Sequence, residues 1–184
     1  HDMNANLVLI PHNASACEAV RRIDVTVARA GTDALSFAYR LEGDLSQLRL
    51  PETIGPYRQE GLWQHSCFEA FLRPDGGDAY YEFNFSPSGA WAAYRFGGHR
   101  AGRYVPELKQ PQAEVRRGPD MLHLNVRICL DELPELAKAV AISAGLTAVI
   151  EDAKGNLSHW ALAHGKARPD FHDPLTFMLR IRGT

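Results

Sequence analysis

Regular alternation of apolar and polar side chains is the feature that most constrains the fold of this chain. In the segment MLHLNVRICL (residues 121–130), leucine, valine or isoleucine occupies every second position. The segments at residues 22–27, 35–42 and 177–181 repeat this period of two. Because successive side chains of a strand point to opposite sides, the pattern predicts β-strands with one buried face and one face in water. Strands of that kind are typical of antiparallel sheets.

The remaining signals fit a single all-β domain. The segment DELPELAKAV (residues 131–140) predicts one short helix, with Asp131 as its N-cap and Pro134 in its first turn. A chain of 184 residues has the size of one domain. We expect residues 1–2, which precede Met3, to be a remnant of cloning, and residues 3–184 to form one antiparallel β-sandwich.

Charge and cysteine content exclude several classes of function. A net charge of −2 and a pI near 6.5 predict no general attraction to nucleic acid or to anionic membranes. Cys17, Cys67 and Cys129 lie far apart, so neither a zinc ribbon nor a disulfide framework is indicated. Three scattered thiols and the lack of an export signal favour a soluble protein of the reducing cytoplasm, unless an upstream leader is missing from this sequence.

Two neighbouring segments predict a polar patch on one face of a sheet. The turn at residues 74–78 joins them as an antiparallel pair, and the core register then sets Phe68 opposite Phe85 and Ala70 opposite Phe83. In this register Glu69 lies across from Asn84. The polar face shared by the two strands gathers the following side chains: Trp63, His65, Glu69, Glu82 and Asn84.

The next strand extends this patch. If Ala92, Tyr94 and Phe96 face the core, Trp91 and Arg95 lie on the patch side, where Arg95 can pair with Glu82. An indole stacks on the C–H face of a sugar, and carboxylate, amide and guanidinium groups bind its hydroxyls. The patch is therefore a candidate sugar site. A solvated outer face with cross-strand ion pairs is the alternative.

At these residues the sequence resembles a known group. The segments LWQHSCFEAFLRP and AYYEFNFSPSGAWAAYRF, together with GLTAVIEDAKGNLSHWALAHGKARPDFHDPLTF near the C-terminus, are similar to DOMON-like proteins related to family 9 carbohydrate-binding modules. The resemblance implies a jelly-roll-like or immunoglobulin-like β-sandwich that binds a sugar or haem. It also implies that Trp63 and Trp160 are two rings that sandwich a sugar, and that Glu69 is the acid of the motif. Residues 64–66 (Gln-His-Ser) depart from the acidic pair typical of the sugar-binding modules.

These observations together predict a non-catalytic domain that binds a small carbohydrate or a similar polyhydroxylated ligand. His164 and His172, in the loop after Trp160, complete the candidate ligand-binding residues. One alternative is a haem-binding electron-transfer domain of the DOMON type, whose iron needs two axial His or Met ligands. A second is a hydrolase that uses Glu69 and Glu82 as paired acids. Structural calcium and a homodimer formed through an aromatic sheet face also stay open.

Overall fold

Twelve β-strands and one short α-helix make up the regular structure of residues 3–183, the part of the chain that the computed structural model describes. The strands are β1 (Met3–Pro11), β2 (Val20–Ala30), β3 (Ala34–Gly43), β4 (Tyr57–Arg58), β5 (Cys67–Pro74), β6 (Tyr80–Phe85), β7 (Ala90–Phe96), β8 (Gln112–Arg117), β9 (Met121–Cys129), β10 (Ala141–Glu151), β11 (Leu157–Ala161) and β12 (Leu179–Arg182), and the helix is α1 (Pro134–Ala137). The predicted all-β class is confirmed. The predicted remnant at residues 1–2 lies outside the described residues.

The strands follow one continuous hydrogen-bonded order, β4-β7-β6-β5-β10-β11-β1-β2-β3-β9-β8, and β12 pairs with the first half of β10. Every pair is antiparallel except β4 with β7. Strand β1 joins the two halves of the order, because its first seven residues pair with β2 and its last two with β11. The result is a curled open sheet. A closed β-sandwich of the jelly-roll or immunoglobulin type stays a prediction.

The main core lies on the inner side of this curled sheet. The apolar positions of β2, β3 and β9 pack there against those of β5, β6 and β10. The Tyr39 ring of β3 lies 5.1 Å from the Phe68 ring of β5, and the Tyr39 hydroxyl donates a hydrogen bond to the Glu69 carbonyl oxygen at 2.7 Å. The alternation in the sequence therefore marks the inner face correctly in these strands.

A second apolar cluster covers the opposite face of β5, β6 and β7. It contains Phe71, Tyr80, Tyr94 and Phe96 from the strands, with Phe171 and others from the covering loops. All six residues of β6 are buried as a consequence. The prediction of one wet face is wrong for these strands, because three loops fold over the face that a simple antiparallel sheet would expose to water.

The predicted orientation of β7 is also wrong. Phe85 pairs with Trp91 and Phe83 with Ala93, so Trp91 and Ala93 join the main core instead of the opposite face. The turn before β7 sets this register: the Gly89 backbone N–H donates to the Ser86 carbonyl oxygen at 3.0 Å, and Gly89 has φ +95°. Several aromatic residues make the alternation in β7 ambiguous, so the length of the preceding turn determines which side chains of β7 face the main core.

The short helix begins later than its sequence suggests. Its N-cap is Leu133 and not Asp131, while Pro134 occupies the first turn as predicted. Leu133 and Leu136 are buried in the core, and Asp131 pairs instead with Lys109 at 3.0 Å. Packing of the two leucines therefore positions α1. No helix in residues 3–183 is long and apolar enough to cross a membrane.

Candidate functional site

A cleft of about 410 Å³ opens on the covered face of β5, β6, β7 and β10. We call it the carboxylate cleft, because its floor carries Glu69 from β5 and Glu82 from β6. Its walls come from the loops at residues 62–64, 97–105 and 162–178. Clefts of this size hold small ligands in proteins.

Glu69 and Glu82 form a buried pair of acids. The predicted register is confirmed, since Glu69 pairs with Asn84 and Phe71 with Glu82, which makes the two acids diagonal neighbours on one face. Burial, and then the adjacent Glu82 carboxylate, raise the pKa of Glu69 well above its usual value. Burial also raises the pKa of Glu82, to about 6. Glu69 therefore keeps its proton to a higher pH than an ordinary glutamate, while most of Glu82 is ionised at neutral pH.

A hydrogen-bonded His172 ring lies against the Glu82 carboxylate. Burial lowers the pKa of His172 to about 4, so this imidazole is neutral at pH 7. Its Nδ1 lies 2.7 Å from the Tyr80 hydroxyl, and its Nε2 lies 3.4 Å from Glu82 Oε1. In the Nε2–H tautomer, Nδ1 accepts from the Tyr80 hydroxyl and the N–H group lies on the side of Glu82. The Tyr80 oxygen in turn accepts the backbone N–H of Arg100 at 3.1 Å.

Asp170 ties the two loops at the rim together. Its carboxylate accepts hydrogen bonds from His99 Nε2 at 3.0 Å, Arg100 Nη2 at 2.9 Å and Lys166 Nζ at 2.7 Å. Burial would raise the pKa of Asp170, but these hydrogen bonds outweigh it and hold the pKa well below its usual value. The same carboxylate also accepts the backbone N–H of His172 at 3.1 Å, so the rim and the floor are positioned together.

The walls of the cleft combine aromatic rings and cations. The Trp63 side chain, in a 3-10 turn at Leu62–Gln64, is 48% exposed at the mouth. On another side the Arg103 guanidinium lies 4.5 Å from the centre of the Tyr94 ring, and the Tyr94 hydroxyl donates to Glu60 at 2.7 Å. Phe171 adds a further ring from the last loop. The cleft thus offers flat apolar surfaces around a polar floor.

Four of the ten predicted ligand-binding residues meet in this cleft: Trp63, Glu69, Glu82 and His172. Two more lie close to it without lining it. His65 turns into a neighbouring cleft, where its Nδ1 lies 3.0 Å from Glu151 Oε1. Asn84 is fully buried beside Glu69 on the same face, and neither amide atom has a hydrogen-bond partner among residues 3–183.

The other four predicted residues lie elsewhere. Trp91 belongs to the main core, and Arg95 pairs with Glu135 of α1 at 2.9 Å, so the predicted pair of Arg95 with Glu82 is wrong. Both errors follow from the reversed orientation of β7. Trp160 is only 4% exposed, packs in the main core and donates from Nε1 to Ser158 Oγ at 2.9 Å.

The buried position of Trp160 contradicts the ring sandwich that the resemblance implied. His164 is held away from the cleft by a hydrogen bond from its ring to the Ile10 carbonyl oxygen at 2.8 Å. Within residues 3–183, no three His, Cys, Asp or Glu side chains form a group that could hold a metal ion.

Nine residues that line the carboxylate cleft were not among the predicted ligand-binding residues, and they include Arg100, Arg103, His159 and Phe171. Arg100, Arg103 and Phe171 come from loops, where no alternation indicates which way a side chain points. The available signal was loop length, since long loops in a compact domain often line binding sites. It identifies the segment but not the residue.

Known structures share this fold. No protein-family model matches the sequence, and a search among curated proteins finds no significant match. A candidate carbohydrate-binding protein from Bacteroides uniformis superposes with a TM-score of 0.68 at 15% identity, over 98% of this chain and 86% of that protein.

Two structures of a family 9 carbohydrate-binding module from Caldicellulosiruptor kristjanssonii also superpose, each at 12% identity. The complex with glucose gives a TM-score of 0.57 over 92% of this chain and 80% of the module. The complex with cellotriose gives 0.55 over 94% and 85%. The chain therefore has a fold related to that of family 9 carbohydrate-binding modules. The relation to DOMON domains stays a prediction.

Proposed function

We propose that this protein binds a small carbohydrate or a similar polyhydroxylated ligand in the carboxylate cleft and catalyses no reaction there. The observation that carries the proposal is the half-exposed indole of Trp63 at the mouth of a cleft whose floor holds Glu69 and Glu82. The glucose and cellotriose complexes of modules with a related fold support the same class of ligand.

The chemistry of the cleft suits a neutral sugar. The Glu82 carboxylate accepts hydrogen bonds from hydroxyl groups, and Glu69, whose pKa is raised by burial, can donate one while it keeps its proton. The indole of Trp63 offers a flat surface to the C–H groups of a pyranose ring. The ion pairs around Asp170 hold the rim in place before a ligand arrives, which lowers the entropic cost of binding.

The test compares Trp63→Ala with Tyr104→Ala in isothermal titration calorimetry. The ligands are glucose, galactose, mannose, xylose and N-acetylglucosamine, with their β-1,4-linked di- and trisaccharides. We expect at least one sugar to bind, and Trp63→Ala to lower its affinity about tenfold or more, because a stacked indole contributes about 1–2 kcal/mol. Tyr104 is 50% exposed and lies outside the cleft, so its substitution controls for the loss of a surface aromatic ring. If no sugar binds, or if both variants bind like the unmodified protein, the proposal is wrong.

The sequence predicts no cofactor, and haem, structural calcium and a homodimer are the alternatives that it leaves open. A Soret band after haem titration would establish the haem alternative, and its absence would remove it.

A further inference from the structure

The Glu82 carboxylate is a buried charge for which the protein supplies no cation. Its side chain is only 6% exposed, and burial raises its pKa to about 6, so most of it is ionised at pH 7. Its only ion-pair contact within residues 3–183 is with His172 Nε2, at 3.4 Å. Burial lowers the pKa of His172 to about 4, so this ring is neutral at pH 7. A buried carboxylate without a counter-ion is costly, and a cation on a ligand would remove that cost.

The side chains next to Glu82 add hydrogen-bonding capacity and no positive charge. Glu69 is buried and accepts a hydrogen bond from the Thr147 hydroxyl at 3.1 Å. Asn84 follows Glu82 by two positions on the same face of β6 and is completely buried. Neither amide atom of Asn84 has a hydrogen-bond partner within residues 3–183. The floor of the carboxylate cleft therefore has polar groups that the protein itself leaves unused.

The cations in the walls of the cleft are already paired with acids. Arg100 Nη2 lies 2.9 Å from Asp170 Oδ1, and Arg103 Nη2 lies 3.8 Å from Glu60 Oε2. The side chains of the two arginines are about half exposed, so water and salt screen their charges. Both guanidinium groups lower the pKa of Glu82, but burial raises it by more. The unpaired charge of the cleft is therefore the negative one at its floor.

Aromatic rings line the cleft around this charge. They belong to Trp63, Phe71, Tyr94, Phe96 and Phe171. Their apolar surface excludes water from the floor, and the negative face of an aromatic ring itself attracts a cation. In such surroundings an ammonium group binds a carboxylate more tightly than a hydroxyl group does, because charge attraction adds to the hydrogen bond.

We infer that the carboxylate cleft selects an amino sugar, whose protonated amine binds at Glu82 and whose ring lies against Trp63. This inference rests on the proposed function and names the class of sugar. A neutral sugar forms hydrogen bonds with the same floor but leaves the charge of Glu82 unpaired. An ammonium group donates several hydrogen bonds and also neutralises that charge. An N-acetylated amine carries no charge, so it should bind like a neutral sugar.

Isothermal titration calorimetry at pH 7, where an amine is largely protonated, tests this selection. The probes are glucosamine, galactosamine and mannosamine, each with its parent sugar and its N-acetyl derivative, and glucuronic acid as the anionic probe. We expect an amino sugar to bind about tenfold or more tightly than its parent sugar and its N-acetyl derivative, and glucuronic acid to bind most weakly.

Two variants establish which residue makes the selection. Glu82→Gln removes the charge and keeps the shape, so it should bring the affinity for the amino sugar within about threefold of that for its parent. Glu114→Gln makes the same change at an exposed acid of β8, outside the cleft, and should leave the preference unchanged. Far-UV circular dichroism and thermal unfolding establish that each variant is folded.

The outcomes separate the inference from the proposed function. If a neutral sugar binds as tightly as the matching amino sugar, or if glucuronic acid binds most tightly, the selection of an amine is refuted and sugar binding stands. The selection is also refuted at Glu82 if Glu82→Gln keeps the preference of the unmodified protein. If none of the sugars binds, the proposed function fails and the inference fails with it.

Discussion

Replacing Glu82 with glutamine should stabilise the protein at neutral pH. Glutamine keeps the shape of the side chain and its contact with His172. It cannot ionise. The ionised form of Glu82 is costly in the folded state because the side chain is almost completely buried beside a second acid. The variant removes that cost.

The size of the effect follows from the pKa of Glu82. A rise from the ordinary value of 4.5 to about 6, at about 1.36 kcal/mol per pKa unit, corresponds to about 2 kcal/mol. The sign follows from proton binding: between pH 4.5 and 6 the folded protein keeps a proton that the unfolded chain releases. The contribution of Glu82 to stability is therefore fully present below pH 4.5 and is lost as the pH rises through 6.

Urea unfolding at pH 4 and at pH 8, followed by tryptophan fluorescence, measures this difference. The free energy of unfolding of Glu82→Gln, relative to the unmodified protein, should rise by about 2 kcal/mol from pH 4 to pH 8. Burial lowers the pKa of His172 and adds a pH dependence of opposite sign. His172 is present in both proteins, so the comparison largely cancels its effect. Glu114→Gln, an exposed acid of β8, is the matched control. A difference that is the same at both pH values would refute the raised pKa of Glu82.

Two further substitutions test the packing around the site. Trp160→Ala should lower the free energy of unfolding by about 3–5 kcal/mol, because it empties a core position. Trp63→Ala, at the cleft mouth, should lower it by less than about 1 kcal/mol. Equal losses in urea unfolding would contradict the placement of Trp160 in the core and of Trp63 at the surface. Gly89→Ala should cost about 1–3 kcal/mol more than Gly76→Ala. Both glycines have positive φ, but a Cβ at Gly89 would lie 2.5 Å from the Gly55 carbonyl oxygen, whereas a Cβ at Gly76 meets open space. Equal stability of the two alanine variants in urea unfolding would show that this close approach is unimportant.

The pairing of β5 with β6 could be predicted from the sequence, because two independent signals agree. The alternation of Phe68 and Ala70 with Glu69 fixes the inner face of β5, and a short turn fixes its partner. The neighbouring β7 has Trp91, Tyr94 and Phe96 on both parities. Hydrophobicity therefore does not determine which face of β7 is buried, and the geometry of the turn at Gly89 determines it.

Trp160 shows a different limit. Its place in a motif suggested a ring that contacts the ligand, but a tryptophan that precedes a turn serves equally well as a core residue. The role of a core residue and the role of a ligand contact differ only in whether the core or the cleft lies on the side of the strand that the ring faces. In this chain the Trp160 ring faces the main core, and His159 beside it lines the carboxylate cleft. A shift of one residue along the strand would exchange the core position and the cleft position. The motif does not determine which of the two positions the tryptophan takes.

The same consideration applies to the acid pair. The sequence places Glu69 and Glu82 on one face of a sheet, where water would leave them ordinary surface carboxylates. Their raised pKa values depend on the covering loops, which exclude water and bring His172 against Glu82. Those loops are fixed by hydrogen bonds between residues far apart in the chain, such as Arg100 with Asp170. Alternation along a strand therefore predicts which side chains share a face, and long-range loop contacts decide whether that face becomes a binding site.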